Sequence, residues 1–217
     1  VAGQSGEGAT RGSALSRGRI LEVAGELVRE DAASTLSMRR LGARLGVTPM
    51  ALYRHFGSRD ELLVALLDEE FARVAWPDLP PPGAERAVEV LMMLHRELAE
   101  RPWVIDALTR GDLMAPSAAR ATNDILASLR AAGRSPEEAA HRYSAAWRLV
   151  LGATQLDART AQTVRGLDRP TVQETVRRDA AGAGLDALAE CGAALAAQRS
   201  RFDLRSALVL LVDASED

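Results

Sequence analysis

The chain has 217 residues, 47% of them hydrophobic and 26% charged, enough to bury one large core or a large and a small one. Its longest apolar stretch, residues 207–212, falls far short of the roughly 18 residues a membrane span needs. The one cysteine, Cys191, excludes an internal disulfide and a cysteine-rich metal site and suits a reducing cytoplasm. The formal charge is −3, yet residues 11–60 hold nine arginines against five acids; a basic N-terminal portion that can attract phosphate therefore precedes an acidic remainder.

Apolar residues recur at helical spacing almost throughout, with no sustained alternation, so the chain reads as all-α. Residues 1–16, rich in Gly, Ser and Ala, read as a mobile arm that is neither signal peptide nor core. Ile20, Val23, Ala24, Leu27 and Val28 form the stripe of a first helix at about 17–31. Short helices follow at 38–45 and 49–55, separated by Gly46, Val47 and Thr48. Ser58, three residues before Glu61, is a natural N-cap for a longer helix over 59–76, long enough to join two domains. Residues 77–83, Pro-Asp-Leu-Pro-Pro-Pro-Gly, end it.

Breaks at 111–116, 133–136 and 182–184 divide the rest into helices near 84–101, 103–110, 117–132, 137–160, 170–181, 185–198 and 201–213. Cys191 falls on one of these and reads as a small buried hydrophobe. The expected organisation is an arm at 1–16, a DNA-reading unit at 17–62 and a larger helical unit at 63–217.

Residues 38–56 have the layout of a helix-turn-helix. Leu41, Leu45, Val47 and Leu52 wedge two short helices together, Gly42 is small where the second crosses, and Gly46 fits the tight turn. Thr48 caps the second helix and Pro49 occupies its first turn, where a missing amide hydrogen costs nothing. The exposed face then offers Thr48, Met50, Ala51, Tyr53, Arg54 and His55, groups that can touch thymine methyls, base edges and phosphates. An αα-hairpin without DNA contact satisfies the same spacing.

The stripe from Ile20, the run 36–41, Gly46-Val47-Thr48, and Leu52-Tyr53-Arg54-His55-Phe56 followed by residues 58–63 together resemble the TetR family of bacterial repressors. The resemblance implies that Tyr53 and His55 contact phosphate, that Arg59 adds a basic phosphate contact, and that Ser37, Met38 and Arg39 meet groove or backbone. It places Met50 and Ala51 at variable base-reading positions, which leaves the operator sequence unread. Beyond Pro82 the runs 98–103, 129–139 and 150–153 are similar to a tetracycline-repressor-like C-terminal domain, which implies a ligand-binding and dimerisation role.

A dimer on double-stranded DNA also follows from selectivity, because one head makes too few contacts for a genome. Small residues Ala145, Ala146, Gly152 and Ala153 permit close helix approach, and Phe202, Ala207, Leu208, Leu211 and Val212 offer a second apolar surface. Candidates for an apolar effector pocket are Trp76, Met92, Met93, His95, Trp103, Leu113, Met114, Asn123, Tyr143 and Trp147. The three histidines have no metal-ligand spacing, and no cofactor is expected. Tetracycline repressors hold a drug-bound metal with a histidine at a position that here is about Gly111, so a metal-chelated tetracycline is a poor fit.

Two other classes fit less well. An α-helical enzyme lacks a nucleophile-base pair, a metal spacing or a phosphate loop, and the paired acids Glu69-Glu70 and Glu137-Glu138 read as solvated faces. A ligand-independent DNA-binding regulator or activator would require a sealed C-terminal core.

Overall fold

The computed structural model describes residues 15–110, 113–164, 172–200 and 202–213. Among these the regular structure is helical: α1 (Arg17–Glu30), α2 (Met38–Leu45), α3 (Pro49–Tyr53), α4 (Arg59–Ala72), α5 (Ala84–Ala99), α6 (Pro102–Arg110), α7 (Pro116–Ala131), α8 (Pro136–Val164), α9 (Val172–Asp179), α10 (Asp186–Ser200) and α11 (Leu204–Asp213). Short 3-10 turns occupy Ala33–Thr35 and Ala181–Ala183. No described helix is long and apolar enough to cross a membrane.

Three serines start the N-terminal helices. Ser16, Ser37 and Ser58 accept the amide hydrogens of Arg19, Arg40 and Glu61, each satisfying a donor that helix geometry leaves open. Ser16 and the half-buried Leu15 thus belong to the folded head, which corrects the arm expected over 1–16; residues 1–14 lie outside the described residues. The helix expected to reach 76 ends at Ala72. Pro77 explains the difference, because a helical proline ring collides with the carbonyl four residues earlier, here that of Arg73. α3 stops at Tyr53 rather than 55, where the amides of His55 and Phe56 both turn to the Leu52 carbonyl. α8 continues past 160 to Val164, since residues 161–164 include no proline or glycine.

α5 lies at the centre of the larger unit and packs on α7, α8 and α11. α4 lies against both α1 and α7, and α6 lies against the 3-10 turn of Ala33–Thr35. Buried side chains from Ile20 to Val212 form one connected cluster running from the head into the body. α9 and α10 pack chiefly on each other.

A bidentate pair ties α5 to α7: Arg86 Nε and Nη2 donate to the two carboxylate oxygens of Asp124, each at 2.7 Å, while Arg86 Nη1 reaches the Pro80 carbonyl at 3.0 Å. The Arg86 guanidinium holds the Asp124 carboxyl below the usual carboxylate range, against a smaller opposing effect of burial. A depressed carboxylate stabilises the fold above its unfolded pKa, and that contribution disappears as pH falls through the folded value. Asp124→Asn is therefore expected to cost about 2 kcal/mol at pH 7, the scale of a charge-assisted hydrogen bond. In urea titrations the gap from the parent protein should narrow below about pH 4; a gap independent of pH would refute the assignment.

Candidate nucleic-acid interface and effector region

α2 and α3 cross at a contact only glycine permits. A Cβ on Gly42 would stand 2.7 Å from the Val47 carbonyl oxygen, and Gly46 turns the chain with φ 69°. Leu41, Leu52 and Phe56 are fully buried beneath the crossing, with Leu45 and Val47 half-buried at its edge. Thr48 occupies the N-cap position of α3, but its side chain makes no capping bond; Pro49 in the first turn removes one of the orphan amides.

This crossing holds α3 with one face outward. Met50 is 73% exposed and Tyr53 44% exposed, and Thr48, Pro49 and Arg54 are exposed beside them, with Ala51 and His55 half-buried. Arg39 is exposed on α2, and the half-buried Ser37 is occupied in capping. Met38 departs from expectation. It is 5% exposed and belongs to the core cluster, because it falls on the same side of α2 as Leu41 and Gly42.

The arginines of this region divide into two groups. Arg19, Arg29, Arg40 and Arg44 pair with acids, and Arg17 reaches Glu61 and the His55 carbonyl while its guanidinium lies 4.1 Å over the Phe56 ring. Arg39 and Arg54 have no acidic partner among the described residues, so their charge is available to an incoming polyanion. Arg59 is committed inward: Nε donates to the Leu36 carbonyl at 2.8 Å and Nη2 to that of Ala33 at 2.6 Å. Motif reading gave Arg59 only a surface role and missed Arg17 altogether. Only the spacing of Arg17 at the first position of α1 could have signalled it.

Two carboxylates hold backbone amides, one between the head and the body and one between α4 and α7. Asp106 of α6 accepts from Ser34 N–H at 2.7 Å, and Asp68 of α4 accepts from Ser117 N–H, in the first turn of α7, at 2.7 Å. The Ser117 hydroxyl and amide hold the Asp68 carboxyl below its ordinary range. Glu70 lies between Arg29 of α1 and Arg101 after α5, 3.3 Å from each. A cavity of about 430 Å³ opens at this junction. Of the expected effector-pocket residues only Trp103 lines it, beside Arg29, Glu70 and Arg101.

The other effector candidates are spread through the body. Met93 and Trp103 are buried in the core cluster, whereas Met114 and Asn123 are exposed. Met92, His95, Leu113, Tyr143 and Trp147 are half-buried. The Tyr143 hydroxyl shares a 2.9 Å hydrogen bond with Thr122, His95 pairs with Thr154, and Trp76 carries the Arg120 guanidinium 4.1 Å above its ring. Gly111 lies outside the described residues.

Ala146, Ala153, Leu208 and Val212, expected on a dimer surface, are instead buried within the chain, because α5 and α8 take up that side of α11. Val209, Leu210 and Phe202 are the exposed apolar residues there. Cys191, expected buried, is exposed, since α10 finds little beyond α9 to pack on. Among the described residues no three His, Cys, Asp or Glu side chains cluster as a metal site would require.

Two short helices crossing at a glycine, the second presenting its face outward from an all-helical body, define a helix-turn-helix protein. Residues 20–66 match the model of the bacterial regulatory proteins of the tetR family. The chain is 28% identical over 145 residues to an HTH-type transcriptional regulator of Saccharopolyspora erythraea, covering 66% of this chain and 61% of that protein. It is 32% identical over 116 residues to the HTH-type transcriptional repressor KstR of Rhodococcus jostii, covering 52% and 55%. The chain thus spans little more than half the length of these curated relatives. The crystal structure of the Streptomyces coelicolor TetR family protein ActR in complex with actinorhodin superposes with a TM-score of 0.73 at 20% identity, covering 94% of this chain and 100% of that one, and shows the shared fold.

Proposed function

We propose that the chain is a sequence-specific, DNA-binding transcriptional repressor that acts in the cytoplasm as a homodimer and leaves its operator when a small, largely apolar effector binds. The carrying observation is the outward face of α3, with Met50 and Tyr53 exposed and the unpaired Arg39 and Arg54 close by in a region whose other described arginines are engaged. In this reading residues 17–62 are the DNA-binding unit and 63–217 the effector and dimerisation unit.

Tyr53 and His55 contact phosphate, Arg39 and Arg54 supply charge, and Thr48, Pro49, Met50 and Ala51 approach the base edges. Ser37 positions α2 through its cap, and Arg59 supports the head from within. Dimerisation supplies two half-sites, with exposed Leu156, Val209 and Leu210 as the apolar surface to be covered. KstR is named a repressor and ActR was crystallised with a small molecule, which supports repression and effector control here. The effector shifts DNA affinity only as far as it prefers the released conformation.

The test is fluorescence anisotropy with the DNA upstream of the protein's own gene. Specific, salt-sensitive binding is expected, and Arg39→Ala and Arg54→Ala should each reduce the slope of log K against log salt by about 1. Unaltered slopes in both variants would sink the interface.

A further inference from the structure

The helix that turns its face outward has little of its own to hold it. α3 has five residues, far below the roughly 12 at which a helix begins to be stable alone, and Leu52 is its one buried side chain. Its start is set by the glycine crossing, where Gly42 lies against Val47, Thr48 and Pro49, and by the Val47 amide, which donates to the Gly42 carbonyl at 2.9 Å. Tyr53 and His55 lie at the opposite end.

Arg17, the first residue of α1, reaches that end. Its Nη1 donates to the His55 carbonyl at 2.9 Å and stands 3.5 Å from Glu61 Oε1 on α4, while the guanidinium lies 4.1 Å over the Phe56 ring. Glu61 Oε2 in turn accepts from the Gly57 amide at 2.7 Å. Three consecutive residues after α3 are thus held: His55 by Arg17, Phe56 by its burial beneath Arg17, and Gly57 by Glu61. The base of Arg17 is itself fixed, since Ser16 caps α1 and Leu15 packs on the core.

We infer that Arg17 is a positioning residue for operator recognition: it fixes the C-terminal end of α3 against α1 and α4, and so sets discrimination between DNA sequences without itself contacting DNA. This rests on the DNA-binding reading above and adds a residue that reading does not use. Contacts to base edges depend on how α3 is aimed in the groove, whereas phosphate contacts through long side chains tolerate a displaced helix. Loosening the end of α3 therefore costs specific binding more than non-specific binding. The charge of Arg17 is already met by Glu61 and the Phe56 ring, which leaves counterion release to Arg39 and Arg54.

Two measurements on the full chain test this, each comparing Arg17→Met in a Glu61→Gln background with Glu61→Gln alone. That background leaves no unpaired acid and keeps an oxygen for the Gly57 amide. Amide hydrogen exchange without DNA reads the clamp directly. Exchange at His55 and Phe56, whose amides both donate to the Leu52 carbonyl, should quicken about tenfold, with Leu41 in α2 unchanged. Unchanged exchange at His55 and Phe56 overturns the inference.

Fluorescence anisotropy then compares a duplex from upstream of the protein's own gene with a scrambled duplex of the same length. About tenfold weaker binding to the upstream duplex is expected, with scrambled binding within about twofold and the salt slope unaltered. Arg17→Lys in the native background should lose specific affinity too, because an ammonium cannot grip the carbonyl and cover the ring together. A salt slope reduced by about 1 would make Arg17 a phosphate contact and overturn the proposal. Equal losses on both duplexes, unaltered specific affinity, or full affinity in Arg17→Lys would overturn it as well. If the parent chain shows no preference for the upstream duplex while the exchange result holds, the sequence-specific reading fails and the clamp stands.

Discussion

Gly42→Ala is expected to collapse DNA binding and to destabilise the head, because the added methyl would lie 2.7 Å from the Val47 carbonyl oxygen, a main-chain atom with no rotamer to escape into. α2 and α3 would have to part, and both the burial of Leu41 and Leu52 and the alignment of the reading face depend on that spacing. Overpacking in a filled core costs typically about 1–3 kcal/mol, and the rigid obstacle puts this site at the upper end. Thermal and urea denaturation of the full chain should show the loss. Gly46→Ala, whose Cβ would meet nothing within 4 Å but which has a positive φ, should cost only about 1 kcal/mol. Parent-like stability in Gly42→Ala would show that the crossing is looser than its geometry implies.

A second large effect separates two residues that the family motif treats alike. Arg59→Ala removes donors to the carbonyls of Ala33 and Leu36; the former keeps the Leu36 amide, so the variant loses two charge-assisted hydrogen bonds and leaves the Leu36 acceptor unsatisfied, at about 1–3 kcal/mol. The variant should therefore lose about 2–3 kcal/mol of stability and lose DNA affinity as a consequence, with Arg59→Lys a partial rescue at best because an ammonium lacks the planar fork. Tyr53→Phe should keep its melting temperature and lose about tenfold in affinity, the worth of one phosphate hydrogen bond. If Arg59→Ala melts like the parent while binding DNA poorly, its guanidinium faces phosphate after all.

Where short-range chemistry decides the outcome, the helices were readable. α2 runs over the residues its caps predict, since Ser37 and Gly46 act within a turn of their own positions. Pro77 marked the end of α4, but its reach back to Arg73 had to be counted to place that end at Ala72. Side-chain fates were less legible. Arg59 binds carbonyls 23 and 26 residues earlier, in a 3-10 turn that no periodicity announces. Met38 was assigned outward by motif and went inward by helical phase. Cys191 lies on a helix whose apolar residues favour no side, so composition predicted burial while nothing in the pattern said against what. In the candidate interface, the exposed Tyr53 and Met50 were legible, and the division of arginines into engaged and available was not, because it depends on acids brought close by the fold.

The carboxylates of Asp106 and Asp68 each grip a main-chain amide, one on the turn after α1 and the other where α4 meets α7. Only the first of these bonds reaches the head; the second fixes α4, on which α1 also packs. α3 itself packs chiefly on α2, so a shift of α4 reaches the reading face by way of the other helices of the head.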